Sequence, residues 1–122
     1  NGRVSGHFVQ GHVEAIGVVA DVRPDGSAIM VTIHAPPDVL RHIVPKGFVA
    51  IDGISLTVVD RTTNGFRLTL IPFTMEMTTA GTWKLGSNVN LESDILVRAV
   101  FSRLDASVVA REIVTLADGG PR

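Results

Sequence analysis

The sequence contains no cysteine and no tyrosine, with one tryptophan and five phenylalanines among 122 residues. Without cysteine, this chain holds no disulfide scaffold, no thiolate metal site and no cysteine nucleophile. Charge is also scarce: 19% of residues are Asp, Glu, Lys or Arg, and eleven basic against twelve acidic residues leave a net charge of −1. A nucleic-acid binder needs a basic excess to neutralise phosphates and aromatic rings to stack on bases. Both are wanting, which disfavours that class, an oligonucleotide-binding barrel included. No run approaches the ~18 uninterrupted apolar residues that span a bilayer. The sequence opens on Asn1-Gly2-Arg3, with neither an initiating Met nor a signal-peptide pattern. The expectation is therefore a piece of a longer protein.

What is present is apolar and finely punctuated. Hydrophobic residues make up 45% of the chain, a balance opposite to that of disordered segments, and the length suits one domain. Pro24, Gly26, Pro36-Pro37, Gly47, Gly53, Gly65, Pro72, Gly81 and Gly86 divide stretches rich in Val, Ile, Thr and Leu, as short strands are. The spacing predicts strands at Val4–Val9, Val13–Val22, Ala28–His34, Lys46–Ile51, Ile54–Asp60, Phe66–Ile71 and Asn88–Asp94. Alternation assigns Ile29, Val31 and Ile33 to one face, and likewise Leu56 and Val58, Phe66, Leu68 and Leu70, and Val89 with Leu91. Asn64-Gly65 is the strongest hairpin signal. Asp38–Val44 reads as a short helix with Val39, Leu40 and Ile43 on one side.

After residue 94 the period changes. Leu96, Val100, Leu104 and Val108 recur at four-residue steps, a helical stripe. That helix either caps the barrel or packs against its copies in other subunits. The expected architecture is mainly β: a small closed six-stranded antiparallel barrel over 1–94, with a short helix, followed by a C-terminal α-helix and tail over 95–122.

Several groups could carry chemistry, and each also has an ordinary structural reading. His7 and His12 stand five apart with a glycine before each. They could serve as proton carriers or simply be satisfied by backbone carbonyls. Odd spacing on a strand sends them to opposite faces, which argues against a shared metal. Ser55 and Thr57 present two hydroxyls on one strand face, fit for a polyol or a ring carbonyl; lining solvent is the commoner fate. Asp52-Gly53 is first a turn. Pro72 ends a strand and frees backbone groups for a ligand. Asn90, Glu92 and Asp94 share a strand face whose default reading is solvated. No P-loop, dinucleotide fingerprint, Ser-His-Asp order or metal-hydrolase pattern is present.

Taken together and in order, S-G-H-F-V-Q-G-H-V-E (5–14), K-G-F-V-A-I-D-G-I-S-L-T-V (46–58), L-I-P-F-T (70–74) and L-G-S-N-V-N-L-E-S-D (85–94) resemble the C-terminal, lumazine-binding barrel of the riboflavin synthase family. The resemblance implies a Greek-key barrel and a terminal helix through which three subunits associate. It also implies a substrate, 6,7-dimethyl-8-ribityllumazine. Two molecules dismutate to riboflavin and 5-amino-6-ribitylamino-2,4(1H,3H)-pyrimidinedione, without metal or redox cofactor, in the cytoplasm or, in a plant, the plastid.

Carried over residue by residue, the resemblance implies that Gln10, Gly11 and His12 border the heterocycle and that Lys46 sits at its rim. Ser55, Leu56 and Thr57 would run alongside the ring and ribityl chain. Leu70, Ile71, Pro72, Phe73 and Thr74 would form the opposite wall. Asp94 would anchor ribityl hydroxyls or assist proton movement. His12, Ser55 and Asp94 form the implied catalytic set, His12 as base toward the acidic methyl of the lumazine, with His7 nearer a structural role. The family's site is composite, completed by an N-terminal barrel that carries a cysteine where this chain has Ser55. Phe73 and Pro45 also depart from the family's usual polar and aromatic residues. The alternative is a non-catalytic lumazine- or flavin-binding protein of the same fold.

Overall fold

In a computed structural model the described residues are 11–94 together with 97, 99 and 100. The strand expected at Val4–Val9 and most of the C-terminal helical stripe lie outside them. Residues 97, 99 and 100 are helical.

The strands are β1 (Ala15–Asp25), β2 (Ala28–His34), β3 (Phe48–Ile51), β4 (Ile54–Arg61), β5 (Gly65–Leu70) and β6 (Asn88–Ser93). All neighbouring pairs are antiparallel, and the order β1-β2-β5-β4-β3-β6 closes into a barrel. β3, β4 and β5 follow one another as hairpins, and β6 returns beside β3, which is Greek-key connectivity. Closure removes the exposed edges that a short sheet would otherwise present.

The alternation read from the sequence places the core. Val31 and Ile33 of β2, Val58 of β4, Phe66, Leu68 and Leu70 of β5, and Val89 and Leu91 of β6 are all buried inside. A β-bulge in β1 between Val19 and Asp21 changes the register there, so Val22 is set opposite the buried Val31 as Val19 is set opposite Ile33.

One end of the barrel is closed by helix α1 (Pro37–Leu40) and the turn after it, which bury Val39, Leu40 and Ile43. The helix is shorter than the expected Asp38–Val44. Its last carbonyl and that of Ile43 in the following turn are met from outside, because the Arg61 guanidinium donates to Leu40 O (3.1 Å) and Ile43 O (3.2 Å), a side-chain substitute for further helical turns. The opposite end is closed by helix α2 (Pro72–Met77), a 3₁₀ turn over Thr79–Thr82, and Trp83. Here Pro72 begins a helix, a position its fixed φ suits.

The Asn64-Gly65 hairpin forms, but not as a two-residue turn. Arg61 pairs with Phe66, and the Thr62 amide donates to Gly65 O (2.9 Å), so residues 62–64 make a three-residue loop and Gly65 already belongs to β5. Ion pairing on the outer wall joins β4 to β5: the Arg67 guanidinium donates twice to the Asp60 carboxylate. That hydrogen bonding holds the Asp60 carboxyl below its ordinary 3.8. A depressed carboxyl stabilises the fold above its unfolded pKa and loses that contribution as pH falls. Both side chains are about two-fifths exposed, so the effect is small and screened. The stability difference between wild type and Asp60→Asn is expected to be flat above about pH 5 and to shrink progressively as pH falls through 3.8 and below. Urea titrations across that range check it, and high salt should shrink the difference.

Candidate functional site

The outer faces of β4, β3 and β6 form one continuous surface. Register sets Ser55 opposite Ala50 and Thr57 opposite Phe48 across β4–β3, and sets Ala50 opposite Glu92 across β3–β6. A hydroxyl, a methyl and a carboxylate therefore stand in a row across three strands. Ala50 is almost fully buried although it faces outward. The segment before β1 lies over it, because the amides of Gly11 and His12 both donate to Glu92 Oε1 at 3.1 Å.

Gly11 takes φ +76° there, left-handed backbone that favours glycine. Just beyond, the Glu14 carboxylate accepts from the amide of Ser93 (3.1 Å) and its hydroxyl (2.9 Å). Gly11, Val13, Ala50, Asn90, Glu92 and the Asp52-Gly53 turn border an open depression of about 420 Å³, with Thr79 on its rim.

The Asp52-Gly53 turn is tied down by its own carboxylate. Asp52 and Gly53 take φ +51° and +82°, the left-handed pair of a type I′ hairpin. Asp52 Oδ2 accepts from the Trp83 indole (3.0 Å) and Oδ1 from the Asn90 amide (2.8 Å). The Asp52 amide returns a bond to Asn90 O (2.9 Å). Its first role is therefore the turn, as the sequence indicated.

At the same end, Ile71 just before α2 and Phe73 and Met77 within it are more than half exposed, and Thr74 is half-buried. The α2 backbone is fixed by Thr78, whose hydroxyl donates to Thr74 O (2.7 Å) and accepts from the Ala80 amide (3.1 Å). Toward the other end of the same face stand Lys46, exposed with φ +67°, and Asp94, half-buried just past β6. The Lys46 backbone is held in this strained conformation by its amide bond to Val58 O (2.8 Å).

The structure thus brings Gly11, His12, Ser55, Thr57, Lys46 and Asp94 to one side of the barrel, with Ile71, Pro72, Phe73 and Thr74 at its end. Leu56 and Leu70 are different: Leu56 packs against the core and Leu70 is buried in it, so toward a ligand they offer backbone only. Gln10 lies outside the described residues. Glu92 is a correction to the sequence reading. It was expected on a solvated face and is 4% exposed, because the Gly11–His12 backbone covers it. Strand alternation alone carries no signal of that contact, which spans eighty residues of sequence. Among the described residues no group of three His, Asp or Glu side chains stands close enough to hold a metal ion, and no helix is long and apolar enough to cross a membrane.

Comparison with known proteins adds to this geometry. The family model of the lumazine binding domain matches residues 10–94. The riboflavin synthase of Actinobacillus pleuropneumoniae is 45% identical over 96 residues, which cover 79% of this chain and 45% of that protein. That of Photobacterium phosphoreum is 42% identical over 98 residues, 80% and 45% of the two. The Escherichia coli (strain K12) enzyme is 36% identical over 110 residues, 89% and 52%. The chain spans about half the length of the curated relatives it matches. Among solved structures, LumP complexed with 6,7-dimethyl-8-(1'-D-ribityl) lumazine superimposes with a TM-score of 0.64 at 25% identity, over 70% of this chain and 47% of that one. LumP complexed with riboflavin matches in fold, with a TM-score of 0.65 at 21% identity.

Proposed function

We propose, from the premise that the chain belongs to the lumazine binding domain family, that it is one lumazine-holding barrel of a riboflavin synthase. The observation that carries this reading is the 45% identity to a riboflavin synthase across 96 residues, 79% of this chain. The substrate is 6,7-dimethyl-8-ribityllumazine, and the reaction moves a four-carbon unit from one lumazine to another. Products are riboflavin and 5-amino-6-ribitylamino-2,4(1H,3H)-pyrimidinedione.

The outer face offers what such a ligand needs. Hydroxyls of Ser55 and Thr57, with the Asp94 carboxylate, suit the ribityl chain. The Ile71–Thr74 corner gives the flat ring an apolar wall, with the Ile71 backbone and the Thr74 hydroxyl as polar contacts, and Lys46 sits at its rim. Gln10, Gly11 and His12 border the heterocycle, and His12 takes the proton from the acidic methyl. That acidity resides in the lumazine itself, so the protein acts mainly by stacking and orienting two rings.

The active site of this reading is composite, which the roughly double length of the relatives supports. An N-terminal barrel supplies its other half, and three full-length subunits associate in the cytoplasm. A second reading, a non-catalytic lumazine binder, is favoured by the likeness to lumazine-complexed LumP.

Fluorescence titration of the chain with 6,7-dimethyl-8-ribityllumazine tests the proposal. Binding is expected, and its absence would overturn both readings. Riboflavin formation by the full-length protein then separates enzyme from binder. Ser55→Ala should fold normally and lose about 1 kcal/mol of lumazine affinity, one net hydrogen bond, roughly a fivefold rise in Kd. Unchanged affinity would remove Ser55 from the site.

A further inference from the structure

A carboxylate is costly to bury unless donors meet it, and Glu92 is buried on the outward side of a strand. Among its donors are two consecutive amides, those of Gly11 and His12, converging on one oxygen. A second carboxylate crosses in the opposite direction, from Glu14 to the Ser93 amide and hydroxyl, while the Glu14 amide donates to Leu91 O (2.8 Å). The chain before β1 is therefore clasped to β6 from both sides. Of the two, Glu92 is the one that reaches the histidine.

The register gives this clasp a functional address. Ala50 is the partner of both Glu92 and Ser55, so the Glu92 and Ser55 backbones lie two strand spacings apart, about 10 Å. The clasped His12 backbone thus stands beside the hydroxyl face. The geometry points to Glu92 as a positioning residue, which fixes the Gly11–His12 backbone and so sets His12 against a lumazine bound over Ser55 and Thr57. This inference rests on the lumazine-binding reading and names a residue whose contribution is made entirely through another.

The test uses the whole 122-residue chain as wild type, Glu92→Ala, Glu92→Gln, His12→Ala and the Glu92→Ala/His12→Ala double variant. Two readouts are taken: lumazine affinity by fluorescence, and hydrogen exchange at the Gly11 and His12 amides without ligand. Glu92→Ala is expected to raise Kd about tenfold and His12→Ala by a similar factor, with the double variant no weaker than either single. Glu92→Gln keeps an acceptor oxygen and should restore affinity to within about twofold. Exchange at the two amides should accelerate in Glu92→Ala while the Leu68 amide in the core stays protected.

Unchanged affinity in Glu92→Ala, fully multiplicative losses in the double variant, or unaltered exchange at the two amides would each overturn the inference. If Glu92→Ala fails to fold, Glu92→Asp, whose carboxylate is one methylene short of the amides, supplies the same comparison. Wild type that binds no lumazine would sink the functional reading alone. The exchange data would still decide whether Glu92 holds the segment.

Discussion

Asp52→Ala is expected to destabilise the barrel by about 2–4 kcal/mol, although it lies in a two-residue turn at the surface. Two losses combine. The first is the pair of acceptors: the Trp83 indole and the Asn90 amide lose the carboxylate oxygens at 3.0 and 2.8 Å. Trp83 is 9% exposed, so its N–H would be left largely without water, at a cost of about 1–3 kcal/mol. The second is backbone conformation, since φ at residue 52 is +51°. Asp and Asn tolerate that region better than Ala, for which it costs about 1 kcal/mol or more.

Companion variants separate the two. Asp52→Gly removes the acceptors and relieves the backbone, so it should fall between wild type and Ala. Asp52→Asn keeps the backbone preference and one acceptor, and should be the mildest. Urea unfolding followed by the emission of Trp83, the chain's single tryptophan, measures all three. A loss below about 1 kcal/mol in Asp52→Ala would mean that the turn holds without its carboxylate. Because this turn borders the depression beside Ala50 and Glu92, the same variants show whether the rim depends on the stitch.

What the sequence could reveal followed from local physics. β2 was readable to the residue because Gly26 and Pro36 flank a run of alternating branched residues. β5 was readable because Phe66, Leu68 and Leu70 keep a strict period of two. Helix α2 was not readable. Six residues are too few for a helical stripe, and two of its large apolar side chains, Phe73 and Met77, point to solvent, so no amphipathic period exists to find. The burial of Glu92 was hidden for a different reason. Its partners are set by the closure of the barrel, and an acidic residue alternating with Asn90 and Asp94 looks like any solvated strand face. The positions of the candidate site residues were legible only through the ordered motifs, since each of those residues has an ordinary structural role when taken alone.

Gly65→Ala should be the most damaging single substitution of this kind, costing about 3 kcal/mol or more against a total stability on the order of 5–15 kcal/mol. A Cβ at this position would lie 1.9 Å from Ile33 O and 2.8 Å from Ile33 C. Those atoms belong to β2, paired with β5 through His34 and Gly65, and backbone cannot step aside as a flexible side chain can. The two strands would have to part where the barrel closes over Phe66 and Ile33, both fully buried.

Asn-Gly in a hairpin ordinarily owes its importance to a turn with left-handed backbone at both residues. Here neither Asn64 nor Gly65 has positive φ, and what Asn64 contributes is its carbonyl, which accepts from the Ala35 amide (3.0 Å) and survives side-chain truncation. Asn64→Ala is therefore expected to stay within about 0.5–1 kcal/mol of wild type, a large contrast between adjacent residues. Equal and large losses at both positions, by thermal or urea unfolding, would restore the turn explanation. A loss confined to Gly65 would establish close strand approach as the reason that glycine stands there.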